Sequence, residues 1–289
     1  VVAAAGPGLP RDVARALETR PIALAWPALA EFDRALRESS TRLAREEGVT
    51  LPGFERVLEE RIRPFLDVAR RLGWPDEEAR AAVLGVEAVG VVAVEDAAGA
   101  PRTLSFRADL LEEVGGRVVL TDFKTGAPLS KARTEVTRRK HLLAAVARGE
   151  ALQAAAYPLA AGGRPADGRY VYLRPDLEDD TRVLEVASEA PELPAIFQTV
   201  VRAVLSAWDS GSLFPRLEEA NRPKEPSRCS RCEVRDACVR GDSGARRRLA
   251  RWAAARGEGE RPLTAAEAAL RGLWSLGIGD AEYGEEDGE

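Results

Sequence analysis

Three residues near the middle of the chain have types that can bind a metal and handle a proton: Asp109, Asp122 and Lys124. They lie in Phe106-Arg107-Ala108-Asp109-Leu110-Leu111 and Val118-Val119-Leu120-Thr121-Asp122-Phe123-Lys124, two β-prone runs either side of Gly115-Gly116. A Gly-Gly pair suits a two-residue hairpin turn, because glycine reaches φ > 0 without a steric penalty. With the turn centred between the glycines, residues whose numbers add to 231 face each other, and Asp109 falls opposite Asp122. A four-residue loop on the same centre gives the same pairing. Alternation along the strand puts Lys124 on that face too. Opposed like charges destabilise a sheet. A divalent cation between the carboxylates would offset that, with Lys124 assisting. Hard oxygen donors favour Mg²⁺ or Mn²⁺, and a cation held there activates water and stabilises charge on a phosphoryl oxygen. The plain alternative is a surface hairpin with scattered charges. Against it, Asp122 follows the apolar run Val118-Val119-Leu120, as a residue at the end of a buried strand would.

The elements that must position these residues can be read from periodicity. Residues 1–82 read as helical, with Leu29, Phe32, Leu36 and Leu43 on one helical spacing and Phe54, Leu58, Ile62 and Phe65 on another. Pro64 is expected to bend or split the second helix. Strands are expected over 84–94, 103–111 and 117–124, then 169–173 and 182–186. Helices are expected over 134–157 with a break at Gly149, over 191–208, and over 245–256. Thr264 with Glu267 is a capping-box signature for a last helix. Helices, a three-stranded meander, helices and further strands make an α/β or α+β arrangement.

Asp109, then Asp122-Phe123-Lys124-Thr125-Gly126, then Gln153-Ala154-Ala155-Ala156-Tyr157 resemble the motifs of the PD-(D/E)XK nuclease superfamily, in its RecB/AddB-like branch. The resemblance covers roughly residues 84–240. It implies an α/β restriction-endonuclease-like core, a mixed central sheet flanked by helices, with helical N- and C-terminal parts. It implies that Asp109, Asp122 and the Phe123 carbonyl bind the metal, and that Lys124 orients or activates the attacking water. Gln153 and Tyr157, one helical turn apart, would orient the site or touch DNA. Glu87, on the first strand, would support Lys124 or the metal, with a surface salt bridge as the competing reading. Many relatives place a further His or Glu ligand on a helix ahead of the strands. The single histidine, His141, follows Asp-x-Lys and reads as part of an exposed basic helix end; Glu31, Asp33 and Glu38 are the possible substitutes. The expected organisation is a helical part over 1–82, the nuclease core over 83–220, a cysteine-bearing segment over 221–244, C-terminal helices over 245–278 and an acidic tail over 279–289.

All three cysteines fall within ten residues, as Cys229-x2-Cys232-x5-Cys238. Thiolate ligation of a metal explains such clustering, and three thiols in so large a chain do not make a disulfide framework. Three reduced thiols are the alternative. In the resembling AddB-type nucleases a fourth, upstream cysteine completes a [4Fe–4S] cluster; here that ligand is not in the chain. The absence of Met, position 1 included, fits a piece of a longer polypeptide. Residues 221–251 hold ten Arg or Lys against four acids, although the whole chain carries a net charge of −5. A basic segment on an acidic protein suits phosphate contact, or is simply a solvated face.

At 289 residues with 45% apolar and 31% charged side chains, the composition is that of a soluble globular protein. No apolar run approaches the ~18 residues of a membrane span, Val1–Pro10 lacks the basic start of a signal peptide, and a cytoplasmic location is expected. There is no Gly-x-x-x-x-Gly-Lys-Ser/Thr motif for an ATP motor. The resemblance therefore implies a metal-dependent DNA nuclease domain, an exonuclease, working with a helicase subunit or upstream helicase-like region on single-stranded ends in double-strand break repair and recombination. Two other readings are a catalytically inactive, metal-stapled DNA-binding module and an interaction domain with no nucleic-acid role.

Overall fold

A computed structural model describes residues 8–76, 78–218, 224–255 and 261–278. The acidic tail over 279–289 lies outside the described residues. The chain divides into two compact units, the described residues of Val1–Val92, Ser105–Arg139 and Gln153–Pro191 in one, and of Ala93–Leu104, Lys140–Leu152 and Glu192–Glu289 in the other.

The first unit is built on a sheet. Its elements begin with α1 (Val13–Glu18), β1 (Ile22–Leu24), α2 (Leu29–Glu46) and α3 (Phe54–Gly73). Along the chain then come β2 (Ala81–Glu95), β3 (Pro101–Val114), β4 (Arg117–Lys124), α4 (Glu135–Ala147), α5 (Leu152–Leu159), β5 (Ala166–Tyr172) and β6 (Val183–Ala187), of which residues 93–95, 101–104, 140–147 and 152 belong to the second unit. The six strands lie in the order β1-β2-β3-β4-β5-β6. β3 pairs with β4 antiparallel, from Leu110↔Thr121 to Val114↔Arg117, the register that centres the turn on Gly115-Gly116. β4 pairs with β5 in parallel, Asp122 beside Tyr170 and Lys124 beside Tyr172. Parallel neighbours need a crossover, and α4 and α5 provide it. The result is a mixed α/β sheet flanked by helices, as the sequence implies.

The core sits on both faces of the strands that carry the site. Leu84, Ala88, Ala108, Leu111, Val118 and Leu120 pack with Val13, Ala16 and Tyr157 in one cluster. Leu24, Trp74, Val83, Val86 and Leu110 form another, against which Phe123 packs. Each fully buried Val or Leu contributes ~1.5–3 kcal/mol by leaving water, enough to hold β4 rigid behind its polar end.

Two sequence expectations are corrected. Residues 1–82 are not all helical: Ile22–Leu24 is a strand that pairs with Ala81–Val83. Three residues carry too short a pattern to reveal a strand by periodicity; the edge of β2 recruits them. Of the two outcomes expected at Pro64, a bend or a split, the split does not occur: α3 runs through it from Phe54 to Gly73. The acceptor that loses its partner there belongs to exposed Glu60 and can bond water instead. The break at Gly149 is present, with φ of 81° at Gly149 and 53° at Ala151.

In the second unit α6 (Leu193–Asp209) buries Leu193, Phe197, Val200 and Val201. Short 3₁₀ turns at Ser227–Arg231, Arg235–Ala237 and Val239–Gly241 carry the cysteines, followed by α7 (Ser243–Ala254) and α8 (Ala265–Trp274). Asp242 caps α7, and the Thr264–Glu267 capping box opens α8. Trp274, Ala253 and Leu217 form this unit's core, with Cys238 packed against it.

One close approach decides where α5 lies. A Cβ on Gly168 of β5 would stand 2.0 Å from the Ala154 carbonyl oxygen and 2.6 Å from Pro158 Cδ. Gly168 therefore lets α5 rest directly on β5. Gly168→Ala is expected to push the helix off the sheet and cost about 1–3 kcal/mol, an overpacking penalty. Gly126→Ala, which meets open space, should stay within about 0.5 kcal/mol of wild type. Chemical denaturation of the two variants checks this, and equal midpoints would contradict it.

Candidate active site

The hairpin register brings Asp109 and Asp122 to the same end of β3 and β4, one step beyond the Leu110↔Thr121 pair. There the ladder gives way to side-chain bonding: the Phe123 backbone N–H donates to Asp109 Oδ2 at 2.7 Å. Asp122 is buried at 7% exposure. Lys124 Nζ stands 2.6 Å from Asp122 Oδ2. That contact lies off hydrogen-bonding geometry, so Oδ2 is a buried oxygen with no hydrogen bond. Lys124 also donates to Gln153 Oε1 at 3.3 Å, and its ammonium sits 4.9 Å from the centroid of the Tyr170 ring.

Electrostatics follow from this crowding. Burial pushes the Asp109 carboxyl above its ordinary pKa. The Phe123 N–H opposes that shift, Asp122 and Glu87 add to it, and Lys124 offsets part. Burial and then the Asp122 charge push the Tyr157 phenol up, so it stays protonated and donates. Its hydroxyl bonds the Arg107 carbonyl at 3.0 Å, tying α5 to β3 beside Asp109.

Each site residue expected from the sequence has a definite place. Asp109, Asp122, Phe123, Lys124 and Gln153 come together. Tyr157 is fully buried, at 0% exposure, so of its two expected roles only orienting the site suits its position. Glu87 sits in the left-handed region, with φ of 48°, a conformation uncommon for a non-glycine residue. It pairs with Arg107 at 3.2 Å, and its charge reaches Asp109, so the surface salt bridge is formed and its support goes to Arg107 rather than Lys124. Of the substitutes for an upstream ligand, Asp33 is bonded to Arg63 at 2.8 Å, and Glu31 and Glu38 are exposed on α2. His141 lies mid-helix in α4 and is half-buried; it is not an exposed helix end, because α4 runs on through the buried Leu142–Ala147.

Sequence reasoning misses Tyr170 and Arg107. Arg107 stands two residues before Asp109 on the same strand, a spacing that signals a shared face. Tyr170 carries no such signal, since its place beside Asp122 comes from the parallel β4–β5 register.

The residues at the end of β4 fit a hard divalent cation. Two carboxylates repel one another, the buried Asp122 Oδ2 has an ion pair with Lys124 but no hydrogen bond, and the Phe123 carbonyl belongs to the same strand end. Among the described residues, though, no group of three or more His, Cys, Asp or Glu is arranged to hold a metal. The same holds for the cysteines. Cys229 is buried, Cys232 exposed and Cys238 intermediate, all three unbridged. Among the described residues they form no group arranged to hold a metal.

The model of the PD-(D/E)XK nuclease superfamily matches residues 10–239. The chain belongs to that superfamily. Its members are typically metal-dependent nucleases, which points to DNA as the substrate class. Comparison with curated proteins and with solved structures returned no match. Among the described residues no helix is long and apolar enough to cross a membrane.

The raised Asp109 pKa has a consequence for stability. A carboxyl whose folded pKa lies above its unfolded value destabilises the fold once pH rises through the folded pKa. Without divalent cation at pH 7, Asp109→Asn is therefore expected to unfold at a higher temperature than wild type, keeping an acceptor for the Phe123 N–H. The advantage shrinks as pH falls through the raised pKa and Asp109 takes up its proton. Thermal melts in chelator between pH 7 and pH 4 check the sign; an Asn variant less stable than wild type at pH 7 contradicts it.

Proposed function

We propose that this chain is a Mg²⁺- or Mn²⁺-dependent DNA nuclease domain of AddB/RecB-like type, acting on DNA ends exposed by a helicase during double-strand break repair and recombination. The observation that carries the nuclease reading is the convergence of Asp109, Asp122 and Lys124 at one strand end, with Asp122 Oδ2 buried and unbonded. The helicase partner and the repair setting rest on the motif resemblance alone.

In this reading Asp109, Asp122 and the Phe123 carbonyl hold the cation. When bound, it supplies an activated water and neutralises charge on the phosphoryl oxygen. Lys124 orients that water and donates to the oxygen on which charge develops. Its side chain is 37% exposed, which leaves a donor open toward substrate. Gln153 fixes the ammonium's direction, and Tyr157 fixes the strand that bears Asp109. Basic residues of the second unit, among them the exposed Arg247, Arg248 and Arg251 of α7, suit contact with phosphates at a cost in salt sensitivity.

The second reading, a DNA-binding module without activity, is favoured by the missing third acidic ligand among the described residues. Cleavage of linear DNA separates the two. With Mg²⁺ or Mn²⁺ the wild-type protein is expected to degrade it, and excess chelator to stop it. Asp122→Ala and Lys124→Ala are expected to lose at least about a hundred-fold in rate while keeping their circular dichroism. Wild-type protein that binds DNA but cuts it in neither metal gives the answer to the second reading.

A further inference from the structure

We infer that Tyr170 is a positioning residue for the reaction, using its ring face to hold the Lys124 ammonium and its hydroxyl to hold the helix that presents Gln153. The inference rests on the nuclease reading for its effect on rate, though not for the geometry behind it.

Three observations converge on this side chain. β4 and β5 are parallel with Asp122 beside Tyr170, so the two side chains share one face of the sheet. The Lys124 ammonium lies 4.9 Å from the ring centroid, within the range where an aromatic face attracts a cation. The Tyr170 hydroxyl accepts the Ala154 backbone N–H at 3.4 Å, at the first turn of α5, where helix N–H groups have no partner within the helix. The Gln153 N–H also points to it. The ring is 3% exposed, so it cannot swing away to solvent.

The consequence concerns direction. Lys124 would otherwise have only an off-axis contact with Asp122 and one long bond to Gln153. A four-carbon stem has many rotamers, and an ammonium is a point charge without directional preference of its own. The Tyr170 face adds a third restraint. Because the same residue caps the helix that carries Gln153, the lysine and its amide partner are fixed to one platform. A displacement of about 1 Å in such a group costs about a hundred-fold in rate, so the platform sets how much of the lysine's capacity is used.

The chain has four lysines, Lys124, Lys131, Lys140 and Lys224, so a ¹³C-lysine correlation spectrum of the full chain resolves them, with Lys124→Ala giving the assignment. Lys124 ε-CH₂ protons are expected upfield of those of the other three lysines, from the ring current of Tyr170. The shift should persist in Tyr170→Phe and vanish in Tyr170→Leu. On linear DNA with Mg²⁺, Tyr170→Leu is expected to lower kcat about ten-fold with KM unchanged, the signature of an interaction made in the transition state. Tyr170→Phe, which keeps the ring but loses the bond from the Ala154 N–H, is expected to recover part of that loss and to stay below wild type. An unshifted Lys124 signal in wild-type protein overturns the proposal, as does a Leu variant with wild-type kcat. Loss of packing alone would not give a ring-current shift that the Phe variant preserves. If wild-type protein does not cleave DNA, the nuclease reading falls, and the ring-current result still decides whether Tyr170 holds Lys124.

Discussion

Two carboxylates forced to the same end of adjacent strands are the constraint around which the first unit is arranged. A two-glycine turn fixes the register, and the register leaves Asp109 and Asp122 no way to separate. Each nearby feature reduces the resulting strain. The Phe123 N–H leaves the ladder to bond Asp109, and Lys124 stands against Asp122. The apolar residues behind them, Leu120, Leu111 and Val118, are fully buried and supply the burial energy that a like-charge pair subtracts. The relief is incomplete. Burial, with the Asp122 and Glu87 charges behind it, still holds the Asp109 carboxyl above its ordinary pKa, and a hard cation is a species whose binding would offset both.

Holding the opposite side of the site depends on a different kind of contact, close backbone approach. Gly168 allows α5 to lie on β5 at a distance no side chain would permit, and from there the helix reaches in two directions. Gln153 meets Lys124, and Tyr157 meets the Arg107 carbonyl. Further ion pairs lock the strands that carry these groups. Arg169 on β5 bonds Thr121 of β4 at 2.7 Å and Glu112 of β3 at 2.8 Å. Arg117 at the start of β4 grips both Asp167 and Glu189. Half-buried pairs of this kind add little net stability, but they fix which residue stands beside which, and the site needs that alignment.

The hairpin was legible in the sequence because its information is local. A Gly-Gly turn and period-two alternation determine which residues meet, so Asp109, Asp122 and Lys124 could be placed together before any fold was known. Gln153 and Tyr157 were legible as one helix face. What escaped was set by non-local geometry. Tyr170 reaches Lys124 only because β5 runs parallel to β4, and no pattern within β5 announces its partner. The strand Ile22–Leu24 escaped because three residues have no period to detect. The path of α3 through Pro64 escaped because whether a lost backbone bond matters depends on which carbonyl faces water. For the cysteines, spacing suggested a shared metal, but spacing along a chain fixes only how near thiols can come, and here they are unbridged with differing exposure.

Glu87 shows how the site divides its charges. A non-glycine residue with φ of 48° in a strand costs on the order of 1–3 kcal/mol, so its conformation must be imposed by the surroundings. Its carboxylate meets Arg107 at 3.2 Å, while Lys124 makes its ion pair with Asp122. Had Glu87 reached Lys124 as well, two carboxylates would have neutralised the ammonium and tied up its donors. With one acid, one amide and one aromatic face, the lysine is directed without being saturated. That partition, an arginine paired with Glu87 and a lysine shared among Asp122, Gln153 and the Tyr170 ring, is the arrangement on which the proposed chemistry rests.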